Sequence, residues 1–179
     1  MRFYNREEEI AILRENERLA EKNAMFTVLS GRRRVGKTSL VMEAFKEKQY
    51  AYLFVSKANE SVLCGKFQQA LDEQLGIQVY GQLTRFRDFF DVVMRESQKR
   101  HFTVVFDEFQ NFYKVNPAIF SEMQDIWDRL HRTSHINLIA MGSIRSLMKR
   151  IFEDENEPLY GRPIARSEER RVGKECRSR

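Results

Sequence analysis

Four short runs of the chain are apolar almost throughout, and each is followed by a stretch with helical spacing. Met25 to Ser30 is β-rich and ends at a glycine; Ala51 to Val55, Phe102 to Phe106 and Ile136 to Met141 have the same character. Runs of this length, bounded by polar residues, predict strands buried on both faces. Between them the apolar positions recur every three or four residues. Phe86, Phe89, Phe90, Val93 and Met94 fall on one face of a helix within 83–100, and Ile119, Phe120, Met123, Ile126, Trp127 and Leu130 on one face of another. Further helices are expected at 59–75, from Lys37 to about Lys48, and from Ile144 to Phe152. Asn116-Pro117 offers a cap followed by proline at the first helical position. Asn5 with Glu8 resembles a capping pair for an opening helix carrying Ile10, Ile12, Leu13 and Leu19.

Apolar strands that alternate with helices imply a mostly parallel sheet of at least four strands, covered by helices on both faces. The expected fold is therefore α/β and three-layered, in one domain over residues 1–165. Trp127 and the regularly spaced phenylalanines are read as its core.

The junction after the first strand carries chemistry. Gly31-Arg32-Arg33-Arg34-Val35-Gly36-Lys37-Thr38 matches G-x-x-x-x-G-K-[ST] in full, between a predicted strand and a predicted helix. Glycines let the backbone fold closely enough for successive N–H groups to face phosphate oxygens, and the following helix adds its positive end. The loop is thus expected to bind the phosphates of ATP through Gly31 to Ser39. Lys37 would reach the β- and γ-phosphates, and the Thr38 hydroxyl would hold Mg²⁺. Arg32, Arg33 and Arg34 are open to two readings: contacts to phosphate, a neighbouring subunit or nucleic acid, or solvated positions that the motif leaves free.

The run from Phe102 ends in Asp107-Glu108. In a parallel sheet, sites gather at the carboxyl ends of the strands. Asp107 is accordingly expected to hold Mg²⁺ opposite Thr38, and Glu108 to polarise the attacking water as general base. Gln110 and Asn111 either orient water or make ordinary loop contacts. Ser143, after the fourth strand, is a candidate polar catalytic sensor and equally a helix cap. His101, His131 and His135 lack metal spacing and read as surface or helix-end residues.

Composition and charge narrow the alternatives. The chain has 42% apolar and 12% aromatic residues, which excludes general disorder. No apolar run approaches the ~18 residues of a membrane span, and the charged opening, Met1 to Glu9, is no signal peptide, so a cytoplasmic location without membrane contact is expected. The two cysteines, Cys64 and Cys176, suggest neither a metal site nor a disulfide framework.

The formal charge of +5 would suit a nucleic-acid-binding module using Arg32–Arg34 and the basic end of the chain. Residues 166–179 hold six of the basic and three of the acidic residues, however, which leaves +2 for the remainder. That tail, RSEERRVGKECRSR, has almost no apolar residue and no period, and it resembles the translation of a sequencing adapter. On this reading it is non-native or disordered, and the natural sequence stops near Ala165. The repeat of Arg34-Val35-Gly36-Lys37 at Arg171 to Lys174 has Glu168 in place of the leading glycine and is read as coincidence. Another phosphotransferase built on the same loop is the remaining alternative; a GTPase would normally show N-K-x-D, which the sequence lacks.

With these motifs placed, the chain resembles the archaeal-type ATPases, a prokaryotic branch of signal-transduction ATPases related to the AAA+ and origin-recognition ATPases. The resemblance rests on Phe3-Tyr4-Asn5-Arg6-Glu7, GRRRVGKT from Gly31, FDEFQ from Phe106, Gly142-Ser143 and PLYGR from Pro158. It implies ATP hydrolysis with Mg²⁺, coupled to a protein partner or DNA through a C-terminal region, and a last strand and a lid that are missing here, which would leave the sheet edge beside the phosphate-loop strand open. It makes Phe3, Tyr4 and Arg6 candidate adenine-side contacts, or else a packing segment. Arg162 becomes a candidate γ-phosphate arginine, or else part of a structural turn.

Overall fold

The computed structural model describes residues 6–32 and 36–168, with 165–168 described in their backbone. The elements follow the order α1 (Glu7–Ala20), β1 (Met25–Ser30), α2 (Lys37–Ala44), β2 (Tyr50–Phe54), α3 (Glu60–Leu75) and α4 (Phe86–Lys99). The chain continues with β3 (Phe102–Asp107), a 3-10 turn at Phe109–Asn111, α5 (Phe112–Val115), α6 (Ala118–Leu130), β4 (Ile136–Gly142), α7 (Arg145–Glu153) and β5 (Ala165–Glu168). The strands form one five-stranded sheet in the order β2-β3-β4-β1-β5, and every pairing is parallel. The fold is the expected α/β arrangement.

Side chains alternate across each strand, so the two faces can be told apart by what they bury. Phe26 and Val28 of β1, Val104 and Phe106 of β3, and Leu138 and Ala140 of β4 face one core, together with residues of α3, α4, α6 and α7. Their neighbours Leu29, Val105, Ile139 and Met141 face a smaller core against Leu13 of α1 and Leu40, Val41 and Ala44 of α2. The larger core is rich in phenylalanine: Phe86 meets Phe112 at 4.7 Å between ring centres, and Phe109 meets Phe112 at 5.2 Å. These tilted contacts suit the ring quadrupoles and add to the burial energy.

Local signals set most boundaries. The Asn59 side chain accepts the Val62 N–H and starts α3, and Gly76 ends it in the left-handed conformation at φ 62°. At the start of α6 the Asn116 side chain accepts the Ala118 N–H at 3.1 Å and donates to Glu60 at 2.9 Å. Glu60 also accepts the Phe86 N–H at 2.7 Å, so one carboxylate ties α3, α4 and α6 together.

Three expectations need correction. The helix after the phosphate loop stops at Ala44, because Phe45 turns into the core, only 1% exposed, and packs on Tyr50. In α1, Ile12 and Leu19 are 47% and 37% exposed, while Leu13, Asn16, Glu17 and Ala20 face inward. Asn16 donates to the Thr27 hydroxyl at 3.0 Å, which satisfies a polar group on the inner face. Asn5, the expected cap of that helix, lies outside the described residues. The edge beside β1, expected to be open, carries β5: Thr27 pairs with Ala165 and Ser30 with Glu168, and Ile164 N–H donates to Phe26 at 2.9 Å just before. The sheet thus reaches into the segment read as a structureless tail, whose remaining residues, 169–179, lie outside the described ones.

Candidate functional site at the carboxyl end of the sheet

β1 runs straight into the glycine-bounded loop, and the Gly31 N–H donates to the Gly142 carbonyl at the end of β4 (3.2 Å). Gly36 caps α2 at φ 89°, a conformation L side chains rarely adopt. Lys37, buried, extends back beneath the loop, and its ammonium donates to the carbonyls of Gly31 (2.7 Å) and Arg32 (2.9 Å). Thr38 and Arg32 are exposed, and Ser39 is half-buried. Arg33, Arg34 and Val35 lie outside the described residues, as do Phe3 and Tyr4.

Asp107 and Glu108 leave β3 on the same side. Phe106 and Phe109 on either side are fully buried, so the acid pair is gripped by core rings whose truncation would cost about 3–5 kcal/mol each. Asp107 is held at both oxygens: Oδ1 accepts the Glu108 N–H at 2.8 Å, and Oδ2 accepts the Tyr52 hydroxyl. Tyr52 lies on the face of the sheet that packs against α2, the helix that carries Thr38 in its first turn. Burial, with the bond to Asp107, pushes the Tyr52 phenol well above its usual range, so it stays a donor.

Glu108 is the only non-glycine residue with positive φ among the described residues, at 54°. Such a conformation costs about 1–3 kcal/mol and is held only where the surroundings impose it. Here the surroundings are two buried rings and two donors: Gln110 Nε2 at 2.6 Å and the Ser143 hydroxyl at 2.8 Å, both to Glu108 Oε2. Gln110 in turn lies against Gly142, where an added Cβ would sit 2.6 Å from its Oε1 and 2.2 Å from Met148 Sδ. Any side chain at 142 would force Met148 and Gln110 to move. Asn111 is spent on packing instead, donating to the Val55 carbonyl at 2.9 Å.

The structure therefore brings Lys37, Thr38, Asp107, Glu108 and Ser143 to one end of the sheet, with Tyr52 hydrogen-bonded to Asp107, and Gln110 and Ser143 to Glu108. The oxygens of Thr38 and Asp107 are hard donors of the kind Mg²⁺ takes, so the residues present fit that ion. Arg162 is committed elsewhere: it forms a forked bond to Asp128 of α6 (3.3 and 2.8 Å) and donates to the Tyr160 carbonyl at 2.8 Å. Arg6 lies 3.8 Å from Glu9 along α1.

Two arrangements escaped the sequence. Tyr52 belongs to no motif, and only the pairing of β2 with β3 puts it beside Asp107. At the amino ends of β3 and β4, His101 has Nδ1 on the His135 carbonyl (2.7 Å) and Nε2 on Glu17 (2.9 Å), while Lys48 lies 3.3 Å from the same carboxylate. Glu17, Glu21 and His101 carry potential ligand atoms within 4.8 Å of one another, so His101 does have acidic partners, 84 residues away from Glu17 in sequence.

A parallel α/β sheet with a G-x-x-x-x-G-K-T loop after its first strand, and an acid pair facing that loop, defines a P-loop ATPase domain. The comparison with known families agrees: the family described as an ATPase domain predominantly from Archaea matches residues 3–167, and the chain belongs to it. An uncharacterized protein of Methanocaldococcus jannaschii is 28% identical over 160 residues, which is 89% of this chain and 34% of that protein. Among solved structures, a Walker-type ATPase of Pyrococcus abyssi superposes with a TM-score of 0.67 at 20% identity, covering 93% of this chain and 53% of that one. Cdc6 of Pyrobaculum aerophilum gives 0.61 at 16% identity over 92% and 45%. Aeropyrum pernix Orc1, solved in complex with DNA, gives 0.60 at 15% over 92% and 44%. At these identities the structural likeness is one of fold. The chain spans 34% of the M. jannaschii protein and about half of the P. abyssi one. Among the described residues no helix is long and apolar enough to cross a membrane.

Proposed function

We propose that this domain binds ATP with Mg²⁺ at Gly31 to Ser39 and hydrolyses it to ADP and phosphate, as a switch for a longer protein. The observation that carries this reading is the hydrogen-bonded junction at the carboxyl end of the sheet, where Ser143 and Gln110 hold Glu108 and Tyr52 holds Asp107.

In this reading the N–H groups of the loop and the amino end of α2 bind the phosphates. Lys37 turns its ammonium from the Gly31 and Arg32 carbonyls to the β- and γ-phosphate oxygens, exchanging two neutral acceptors for charged ones. Thr38 and Asp107 hold the Mg²⁺, which supplies positive charge against the phosphate oxygens. Glu108 takes a proton from water as its oxygen attacks the γ-phosphorus and the bond to the β-γ bridging oxygen breaks. Ser143 and Gln110 fix the angle of the carboxylate through its Oε2. The relatives are longer than this chain, so the output of the switch is assigned to polypeptide outside the domain. A DNA partner of the kind present in the Orc1 structure would be met there.

Calorimetric titration with Mg·ATP tests the site. Lys37→Ala should abolish binding or weaken it severely while the protein stays folded, since it removes the charge that faces two phosphates. A folded variant with near-unchanged affinity would refute the assignment.

A further inference from the structure

β2 is the edge strand of the sheet, and its residues are free of any partner strand on one side. Tyr52 nevertheless has a fixed place. Its N–H donates to Gln74 Oε1 of α3 at 2.8 Å, which takes the donor that the edge would otherwise present to solvent. On its other side β2 is in register with β3, with Tyr52 opposite Val105 and Phe54 opposite Asp107. Val105 faces α2, and Tyr52 packs against that same core. Asp107 lies two residues beyond Val105, so its side chain shares the face, one diagonal step from Tyr52. This register brings the phenol to Asp107 Oδ2, on the face of the sheet that α2 covers with Thr38 in its first turn.

We propose that Tyr52 is a positioning residue of the cation site, orienting the Asp107 carboxylate toward Thr38 so that the two oxygens can share one Mg²⁺ shell. The inference rests on the reading of Thr38 and Asp107 as the residues that hold the ion. Mg²⁺ demands near-ideal octahedral placement and keeps several waters, so a carboxylate serving it must be aimed, not merely present. The Glu108 N–H fixes Asp107 Oδ1, and without the phenol Oδ2 would have no bond from β2 and could rotate away. Loss of such an outer partner typically costs 10–100-fold in metal affinity.

The test measures how ATP affinity depends on Mg²⁺ by calorimetry, in wild type, Tyr52→Phe and Asp107→Asn, with a parallel titration in EDTA. Tyr52→Phe keeps the ring and removes one oxygen. It should raise the Mg²⁺ concentration for half-maximal effect by about tenfold and leave ATP affinity in EDTA unchanged. Tyr52→Leu should shift the Mg²⁺ dependence in the same direction. If Asp107→Asn leaves that dependence unchanged, the assignment of the cation site itself fails. If Asp107→Asn shifts it and Tyr52→Phe stays within about twofold of wild type, or tightens it, only the role of Tyr52 is overturned. An equal loss with and without Mg²⁺ would mark Tyr52 as merely structural and overturn the proposal as well.

Discussion

Replacing Glu108 by glutamine should separate binding from turnover. The wild-type carboxylate uses Oε2 to accept from Gln110 at 2.6 Å and from Ser143 at 2.8 Å. An amide oxygen can accept the same two bonds, so the side chain should keep its place and its left-handed backbone. Its NH₂ then takes the position of Oε1 and cannot accept a proton from water. A positioned general base contributes about 10²- to 10⁴-fold, which at 1.36 kcal/mol per decade is about 3–5 kcal/mol of barrier. Phosphate release at saturating Mg·ATP should fall by that factor, while the calorimetric affinity for ATP stays within about threefold of wild type; single-turnover conditions serve if the rate is slow. Turnover within about threefold of wild type would show that another group takes the proton. A large loss of affinity would instead place Glu108 among the binding groups.

Three further outcomes follow from the packing. Gly142→Ala would drive a Cβ to within 2.2 Å of Met148 Sδ and 2.6 Å of Gln110 Oε1; thermal unfolding should show a loss of about 1–3 kcal/mol, and turnover should fall as Gln110 is pushed from Glu108. Ending the chain at Ile164 should lower the melting temperature by several degrees, because β1 loses its parallel partner and each net backbone hydrogen bond is worth about 1 kcal/mol; an unchanged melting curve would mean that β5 contributes nothing. In a Cys176→Ser background, Cys64 should resist thiol reagents at pH 8 until the protein unfolds, because burial, with Glu60 and Asp88 adding to it, pushes its thiol up to about 12. With the folded value raised above the ordinary 9, the thiol's contribution to stability is present below pH 9 and is lost as the pH rises toward 12, which alkaline denaturation would register.

Strands were legible because each is a closed apolar run: β1 matches the reading at both ends, and β3 and β4 extend it by one residue. The phosphate loop was legible because one motif carries a whole mechanism in eight residues. What stayed hidden depends on partners remote in sequence. Asn16 and Glu17 look like the outer face of α1, yet Thr27, Lys48 and His101 satisfy them from other elements. Ala165–Glu168 has one apolar residue and no alternation, but edge pairing in a parallel sheet is made by backbone groups and needs neither. The 3-10 turn and α5 lie in a segment dense in aromatics, where packing of Phe109 and Phe112 overrides weak local preference. Ser143 was left between a cap and a sensor; its bond to Glu108 spans 35 residues and could be seen only with the sheet assembled.

The pairing of β5 with β1 also fixes a point of exit. Because the two strands run the same way, with Glu168 level with Ser30, the described backbone of β5 ends where the phosphate loop begins, one strand spacing of about 4.8 Å away. A reporter ligated to a chain ended at Glu168 would therefore be tethered beside the end of the sheet that carries the loop, and not at its far pole. A shift of the loop by an ångström or two need cross only one row of backbone hydrogen bonds to tug on that tether. A fluorophore or a spin label carried by an appended segment would accordingly report on the loop at short range, with the sheet as the lever between them.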